Sequence, residues 1–234
     1  MKKKIEELKN SIFLENKRLA SSGLVTLTWG NVSGYDPESG IVAIKPSGVD
    51  YADMTAADIV LLDLQGSVIE GKLSPSSDTP THLEIYRNFE GVYGIVHTHS
   101  HYAVSWGQAG RTIPAMGTTH ADHFYGDIPC TRKLTPVEVQ HDYELNTGKV
   151  IVEIFTGIDP LAIPAVIVND HGPFAWGPTV KKAVDNAIAL EAVAKMAYLT
   201  VRLGGEERVD HWLLDKHYKR KHGKDSYYGQ NKRK

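Results

Sequence analysis

The sequence has 234 residues, of which 41% are hydrophobic and 23% charged, as in folded globular proteins rather than disordered or fibrous ones. Lysine and arginine together number 26 against 28 aspartates and glutamates, so a dedicated nucleic-acid-binding protein is not expected. No apolar run approaches the roughly 18 residues of a membrane span, so no membrane partner is expected. The one cysteine, Cys130, cannot form an internal disulfide and indicates a reducing, cytoplasmic location.

Hydrophobic periodicity in the first third of the chain predicts one helix and two hairpins. Isoleucine and leucine at helical spacing predict an amphipathic helix over residues 5–19, ended near Gly23. The alternation that follows is typical of strands. We expect a strand leading into a loop over residues 24–36, its hairpin partner over 40–48, and a second hairpin over 59–71.

The rest of the chain alternates predicted helices and strands. Asp78 followed by Pro80 is a typical helix start, with proline in the first turn. Thr135 and Glu138 have the spacing of a capping box. We expect helices beginning at these two places, a long helix over residues 180–203, and buried strands over residues 92–100, 150–155 and 165–170.

This order of elements indicates an α/β fold. No break in composition, low-complexity linker or internal repeat divides the chain, so we expect a single domain over residues 1–234. Residues 210–234 are polar, basic and aromatic, which is typical of a surface segment or a subunit interface.

A His-x-His pair gives the strongest indication of chemistry. His97 and His99 follow an apolar run, and side chains two apart in a strand project to the same face, where they could share one metal ion. His171 ends another predicted strand and is the best third ligand, because three nitrogens and an open position are typical of a catalytic zinc. The sequence leaves three other histidines as rival third ligands: His101, His120 and His123.

Three small polar loops predict a phosphate site. Each loop follows or precedes a predicted element and offers backbone amides or hydroxyls that suit a phosphate monoester, with a lysine nearby. Ordinary turn chemistry is the alternative for each loop taken alone. The residues concerned are Gly30 and Asn31, Ser47 and Gly48 beside Lys45, and Ser76 and Ser77 before a helix.

The loop over residues 117–126 carries threonine, histidine, aspartate and tyrosine between two glycines. Asp122 in this loop could transfer protons beside a bound cation, although a turn or capping role is the alternative.

Motifs along nearly the whole chain resemble the class II metal-dependent sugar-phosphate aldolase/epimerase family, and within it the L-ribulose-5-phosphate 4-epimerases. The segments HTH and HGPF are shared across the wider family, whereas TWGN, SSDTPTH, GTTHAD and the terminal YYGQ are more specific to the epimerases. The resemblance implies a three-layer α/β/α fold around a mainly antiparallel central sheet. It also implies a C4 homotetramer with active sites between subunits.

The same resemblance assigns roles to the candidate residues. His97, His99 and His171 match the metal ligands, and Asp78 stands where related aldolases carry a metal-associated glutamate. The implied cofactor is a divalent metal ion. Zn²⁺ is favoured, and Mn²⁺ or Co²⁺ is also compatible. The remaining matches are Gly30, Asn31, Lys45, Ser47, Gly48, Ser76 and Ser77 for phosphate binding, Asp122 and Tyr228 for acid/base catalysis, and Thr118, Glu144 and His217 as supporting positions.

The implied activity is epimerisation at C4 of a ketopentose phosphate, which interconverts L-ribulose 5-phosphate and D-xylulose 5-phosphate by metal-assisted retro-aldol chemistry. The alternatives are a class II aldolase or a dehydratase acting on a ketose 1-phosphate. A non-catalytic binding module stabilised by zinc is a more remote alternative. It is disfavoured because such a module would have no need of an acid/base pair such as Asp122 and Tyr228.

Overall fold

A seven-stranded sheet forms the centre of the structure, which is a computed structural model describing residues 2–224, 226 and 227. Every neighbouring pair is antiparallel, in the order β4-β3-β2-β1-β5-β7-β6. The strands are β1 Asn31–Asp36, β2 Ile41–Ile44, β3 Val60–Asp63, β4 Val68–Glu70, β5 Gly94–His97, β6 Ala165–Ile167 and β7 Pro173–Gly177.

Helices cover both faces of this sheet. The helices are α1 Lys2–Ser21, α2 Thr79–Asn88, α3 His101–Gln108, α4 Thr118–Ala121, α5 Pro136–Gln140, α6 Tyr143–Ile154, α7 Val180–Arg202 and α8 His211–His222, with one 3-10 turn at Ala56–Asp58. None of these described helices is both long and apolar enough to cross a membrane.

The two large hydrophobic clusters of the described residues lie on opposite faces of the sheet. Strand side chains alternate between the faces, so Val96 packs into the core with α1, α3 and α7, while Ile95 packs into the core with α2 and α6. Both residues are almost completely buried. The predicted three-layer α/β/α arrangement around an antiparallel sheet is therefore confirmed.

Several predicted elements are confirmed at their predicted places. The first helix ends just before Gly23, whose φ of +78° suits a helix end. The second hairpin turns at Gly66, the capping box at Thr135 begins α5, and the long helix ends before Gly204.

Two strand predictions are wrong. Residues 24–30 form an irregular loop with a turn at residues 27 and 28 rather than a strand. Leu27 is exposed with a φ of +55°, and the strand begins only at Asn31. Residues 150–155, predicted as a strand from their β-branched run, fall mainly in α6. This helix packs closely on α2, where a Cβ on Gly148 would lie 2.6 Å from Glu84 Cβ, and that packing overrides the local strand preference.

Candidate active site

Three histidines converge where β5 and β7 meet. His97 is the last residue of β5, and His171 lies in the turn between β6 and β7. His99 lies two residues beyond the end of β5, in the loop that follows the strand. The prediction that His97 and His99 lie in one strand is therefore wrong, although their rings do contact each other. One ring nitrogen from each histidine lies within 4.8 Å of the others, and the Nε2 atoms of His97 and His99 are 3.0 Å apart.

The donor set fits a divalent metal ion. Two imidazole nitrogens about 2.1 Å from one tetrahedral zinc are roughly 3.4 Å apart, close to the observed spacing. His97 Nδ1 lies 3.0 Å from the Pro173 carbonyl oxygen and donates to it, which leaves Nε2 as the ligand atom. Burial, followed by the neighbouring His97, lowers the pKa of His171 to about 3, so this ring is neutral and can bind a metal.

Asp78 lies beside this cluster but is not one of the three converging ligands. Its Oδ2 accepts a hydrogen bond from Asn31 Nδ2 at 2.7 Å, so this side chain does not cap the helix that it precedes. Burial opposes ionisation of the carboxyl, but His97, His82 and the Asn31 amide hold its pKa below the ordinary value. The site therefore holds a charged carboxylate next to the three histidine rings.

The three predicted phosphate loops line one cavity of about 390 Å³ together with His99 and His171. Asn31 pairs with His97 across β1 and β5, and its amide also donates to Ser76 Oγ at 3.0 Å. The loop before α2 is tied to the loop after β2, because the Ser76 amide donates to the Lys45 carbonyl at 3.0 Å. We call this cavity the histidine pocket; it is lined by Thr28, Trp29, Gly30, Asn31, Lys45, Pro46, Ser47, Gly48, Ser76, Ser77, Asp78, His99, Tyr143, Glu144 and His171.

Lys45 supports the loop that follows it. Its side chain is buried, and Nζ donates to the Val49 carbonyl at 2.8 Å and lies 4.6 Å from the centre of the Tyr51 ring. Burial lowers the pKa of this amine. Tyr51 in turn donates from its hydroxyl to the Gly30 carbonyl at 2.7 Å, so two of the predicted phosphate loops are held by one lysine–tyrosine pair.

Asp122 lies in a second group of polar residues. Its carboxylate accepts hydrogen bonds from Arg220 at 2.8 Å and from His217 at 3.1 Å, both on α8, and Lys221 is 3.4 Å away. Partial burial opposes ionisation, but these hydrogen bonds hold the pKa of Asp122 below its ordinary value. We call Asp122, His217, Arg220 and Lys221 the Asp122 cluster. Its members are not among the described residues that line the histidine pocket.

The supporting positions divide between the two groups. Glu144, in the first turn of α6, lines the histidine pocket. Thr118 begins α4, and its carbonyl accepts from the Asp122 amide at 2.9 Å, which places it beside the Asp122 cluster. Tyr228 lies outside the described residues. The catalytic and supporting roles of all these residues remain predictions.

Two aromatic residues of the pocket were not predicted from the sequence. The Tyr143 hydroxyl is 3.3 Å from His171 Nδ1, and the Trp29 ring is 5.9 Å from the His99 ring. Tyr143 begins α6, and the second half of this helix was predicted as a strand. Its position at the start of a helix was therefore not recognised. Trp29 had a usable signal, because it directly precedes the predicted Gly30–Asn31 loop.

Residues 11–198 match the family described as Class II Aldolase and Adducin N-terminal domain. The chain belongs to this family.

Solved structures agree with this class II aldolase membership. An L-fuculose 1-phosphate aldolase is 26% identical, covers 90% of this chain and 94% of its own, and has a TM-score of 0.77. An L-fuculose-1-phosphate aldolase from Thermus thermophilus is 24% identical over 85% of this chain and 96% of its own, with a TM-score of 0.66. A sugar-phosphate aldolase from Thermotoga maritima is 21% identical over 87% of this chain and 98% of its own, with a TM-score of 0.65.

Class II aldolases depend on a divalent metal ion, and the cluster of His97, His99 and His171 could bind one. The fold is therefore that of the family.

Proposed function

We propose that this class II aldolase family member is a metal-dependent epimerase that interconverts L-ribulose 5-phosphate and D-xylulose 5-phosphate. The observation that carries the proposal is the histidine pocket: His99 and His171 share one cavity of about 390 Å³ with the three predicted phosphate loops, and His97 completes the histidine cluster beside them. A phosphorylated sugar can therefore be held at its phosphate while its reacting carbons lie beside the histidines.

The chemistry of the substrate requires more than proton abstraction beside a carbonyl. C4 is not adjacent to the C2 ketone, so simple enolisation cannot invert it. Removal of the C4 hydroxyl proton allows the C3–C4 bond to break, with its electron pair moving toward the ketone. The fragments are the enediolate of dihydroxyacetone and glycolaldehyde phosphate, and re-formation of the bond on the other aldehyde face gives the epimer.

His97, His99 and His171 would hold the metal, with Asp78 alongside. A bound divalent ion would supply Lewis acidity that favours negative charge on the substrate oxygens. Three imidazole ligands suit Zn²⁺ and also accommodate Mn²⁺ or Co²⁺. The loops around Gly30, Ser47 and Ser76 would retain the phosphorylated fragment while it turns.

Asp122 and Tyr228 would serve as the acid/base pair, one for each face of the aldehyde. The lowered pKa of Asp122 keeps it ionised near neutral pH, as a base requires. Tyr228, with an ordinary pKa of about 10, would be protonated and able to donate. Thr118, Glu144 and His217 would support them.

Because the Asp122 cluster does not line the histidine pocket of its own chain, a neighbouring subunit is the natural source of this pair. We therefore propose a cyclic homotetramer with each active site between two subunits. A cytoplasmic location, which the unpaired Cys130 suits, belongs to the same proposal.

A class II aldolase is the second candidate, since an L-fuculose 1-phosphate aldolase is 26% identical over most of the chain. The epimerase is preferred because the segments TWGN, SSDTPTH, GTTHAD and YYGQ resemble epimerases. Asp78 also stands where the related aldolases carry a glutamate.

The decisive assay follows conversion of L-ribulose 5-phosphate to D-xylulose 5-phosphate by zinc-loaded protein, before and after chelation. We expect chelator-sensitive conversion without release of free glycolaldehyde phosphate. Absence of conversion, together with cleavage of L-fuculose 1-phosphate by the same preparation, would overturn the epimerase and favour the aldolase.

A further inference from the structure

A buried polar relay adjoins the histidine pocket and has no role in the proposed function so far. Ser33 Oγ lies 2.7 Å from His82 Nδ1 and 2.7 Å from the Tyr86 hydroxyl. All three side chains are buried, with Ser33 and His82 at 0% exposure. Ser33 lies on β1 two residues after Asn31, and His82 and Tyr86 are one turn apart on α2.

The direction of the protons in this relay follows from its geometry. Among the described residues, the Tyr86 hydroxyl has no acceptor besides Ser33, and the Ile95 backbone amide interacts with the Tyr86 oxygen. Tyr86 therefore donates to Ser33, whose single proton goes to His82 Nδ1. Because Nδ1 of His82 accepts this proton, the proton of the His82 ring itself lies on Nε2.

That Nε2–H has no hydrogen-bond partner within the described part of the chain, although it is buried. A buried donor without an acceptor is unfavourable, and native proteins rarely tolerate one. The ring packs edge-on against Phe174, with centroids 5.8 Å apart, and Phe174 stacks on His97 at 4.2 Å. Phe174 therefore contacts both the His82 ring, which carries the unpaired donor, and His97 of the three-histidine cluster.

Asp78 is the acceptor that the sequence places within reach. It precedes His82 by one helical turn, since the His82 amide donates to the Asp78 carbonyl at 3.1 Å. Side chains on a helix lean toward its N-terminus, which directs the His82 ring toward Asp78. Asp78 is also the acidic neighbour of His82, and it raises the pKa of the His82 ring against the larger opposite effect of burial. The Asp78 carboxylate already accepts from Asn31 and has capacity for a second donor.

We propose that His82 is a positioning residue for Asp78: its Nε2–H donates to the Asp78 carboxylate, directly or through one buried water, and holds it toward the three histidines. The inference rests on the proposed function, because it gives Asp78 its place at a metal centre. Tyr86 and Ser33 set the direction of the donor and do not contact substrate.

Nitrogen NMR of the wild-type histidine rings tests the relay without substrate or metal. We expect His82 to be a neutral ring protonated on Nε2 at pH 7, with its signals assigned by their loss in His82→Gln. A ring protonated on Nδ1 would overturn the proposal. This measurement needs no folded variant beyond the one used for assignment.

A matched pair of variants tests the contact with Asp78. His82→Gln places an amide nitrogen near the Nε2 position, whereas His82→Asn places one near Nδ1, so only the first keeps the donor toward Asp78. We expect His82→Asn to weaken Zn²⁺ binding about tenfold or more, and His82→Gln to remain within about threefold of wild type, in chelator competition. Equal losses in both variants, or none in either, would overturn the proposal.

Ser33→Ala provides a second route if His82→Asn does not fold, as judged by thermal unfolding. We expect Ser33→Ala to keep the fold, lose the single Nε2 tautomer and weaken Zn²⁺ binding; an unchanged tautomer and affinity would contradict the relay. These readouts involve no turnover. A protein that behaves as expected here but does not convert L-ribulose 5-phosphate would overturn the proposed function alone.

Discussion

The histidine pocket and the Asp122 cluster are built in different ways. The pocket lies at strand ends, where β1 and β5 pair Asn31 with His97 across the sheet. The Asp122 cluster joins a four-residue helix to α8, which has no buried residue of its own, and it is held by ion pairs and hydrogen bonds. The sheet therefore fixes the histidine pocket, whereas the Asp122 cluster is held together mainly by charge.

Their electrostatics differ as well. Burial lowers the pKa of His99 and brings that of His171 to about 3, which suits neutral metal ligands. Asp122 is kept ionised by cations on α8. The contrast teaches that one chain can provide one region suited to holding a cation and a separate region whose carboxylate stays ionised. Changes that displace the three histidines should alter metal content, whereas changes in the other region should alter turnover or stability alone.

The largest effect should come from His97→Asn. Loss of the buried central ligand should abolish stoichiometric metal binding and lower turnover by about a thousandfold or more. Metal content by atomic emission and epimerase turnover would be measured together. The matched control is His101→Asn, an exposed histidine at the start of α3, which should retain both. Full metal content in His97→Asn would remove this residue from the centre.

Tyr228→Phe tests the converse case, in which turnover should fall while metal content is retained. Removal of one hydroxyl should lower turnover by roughly 10²–10⁴-fold, the range for a lost acid/base group, while metal content stays unchanged. Tyr227→Phe serves as the neighbouring control and should behave like wild type. If both variants turn over normally, the acid/base assignment of Tyr228 fails.

A glycine pair tests how tightly the pocket is built. Gly30 has a φ of +81°, and a Cβ there would lie 2.7 Å from the His97 carbonyl oxygen. We expect Gly30→Ala to lower the free energy of unfolding by about 1–3 kcal/mol and to weaken metal binding. Gly48 also has a positive φ, but a Cβ there meets no atom within 4 Å, so Gly48→Ala should cost only about 1 kcal/mol with metal binding intact. Equal effects on metal affinity would show that Gly30 does not shape the centre.

Asp122→Asn should have a small effect on stability, about 1 kcal/mol or less at neutral pH. Because the folded-state pKa of Asp122 is lowered, its carboxylate stabilises the fold above its ordinary pKa near 4, and this contribution is lost as the pH falls through the lowered value. Urea unfolding should therefore show a smaller difference between wild type and variant at pH 3 than at pH 7. A difference independent of pH would mean that the ionised carboxylate does not hold α8.

Local sequence patterns predicted the parts of the fold that have strong local signals. The helical spacing of α1, the Thr135 capping box and the Gly66 turn each specify one structure without reference to the rest of the chain. Residues 150–155 could not be predicted in this way. Their β-branched side chains favour a strand, and only contact with α2 makes them helical.

The candidate site shows the same division. Three loops and three histidines could be found from residue types at predicted element ends. The structure brings the loops, His99 and His171 into one cavity and places His97 in the same histidine cluster. That Asp78 would bond Asn31 rather than cap α2 depends on a contact across 47 positions, which no local pattern encodes. The separation of Asp122 from the pocket is likewise a property of the folded chain.

Subunit complementation tests most directly whether the two regions serve one reaction. His97→Asn and Tyr228→Phe, each inactive alone, would be unfolded, mixed in equal amounts and refolded together. If each active site joins the histidine pocket of one chain to the acid/base residues of its neighbour, random assembly should restore about a quarter of wild-type turnover. Turnover no higher than that of the separate variants would contradict the shared site.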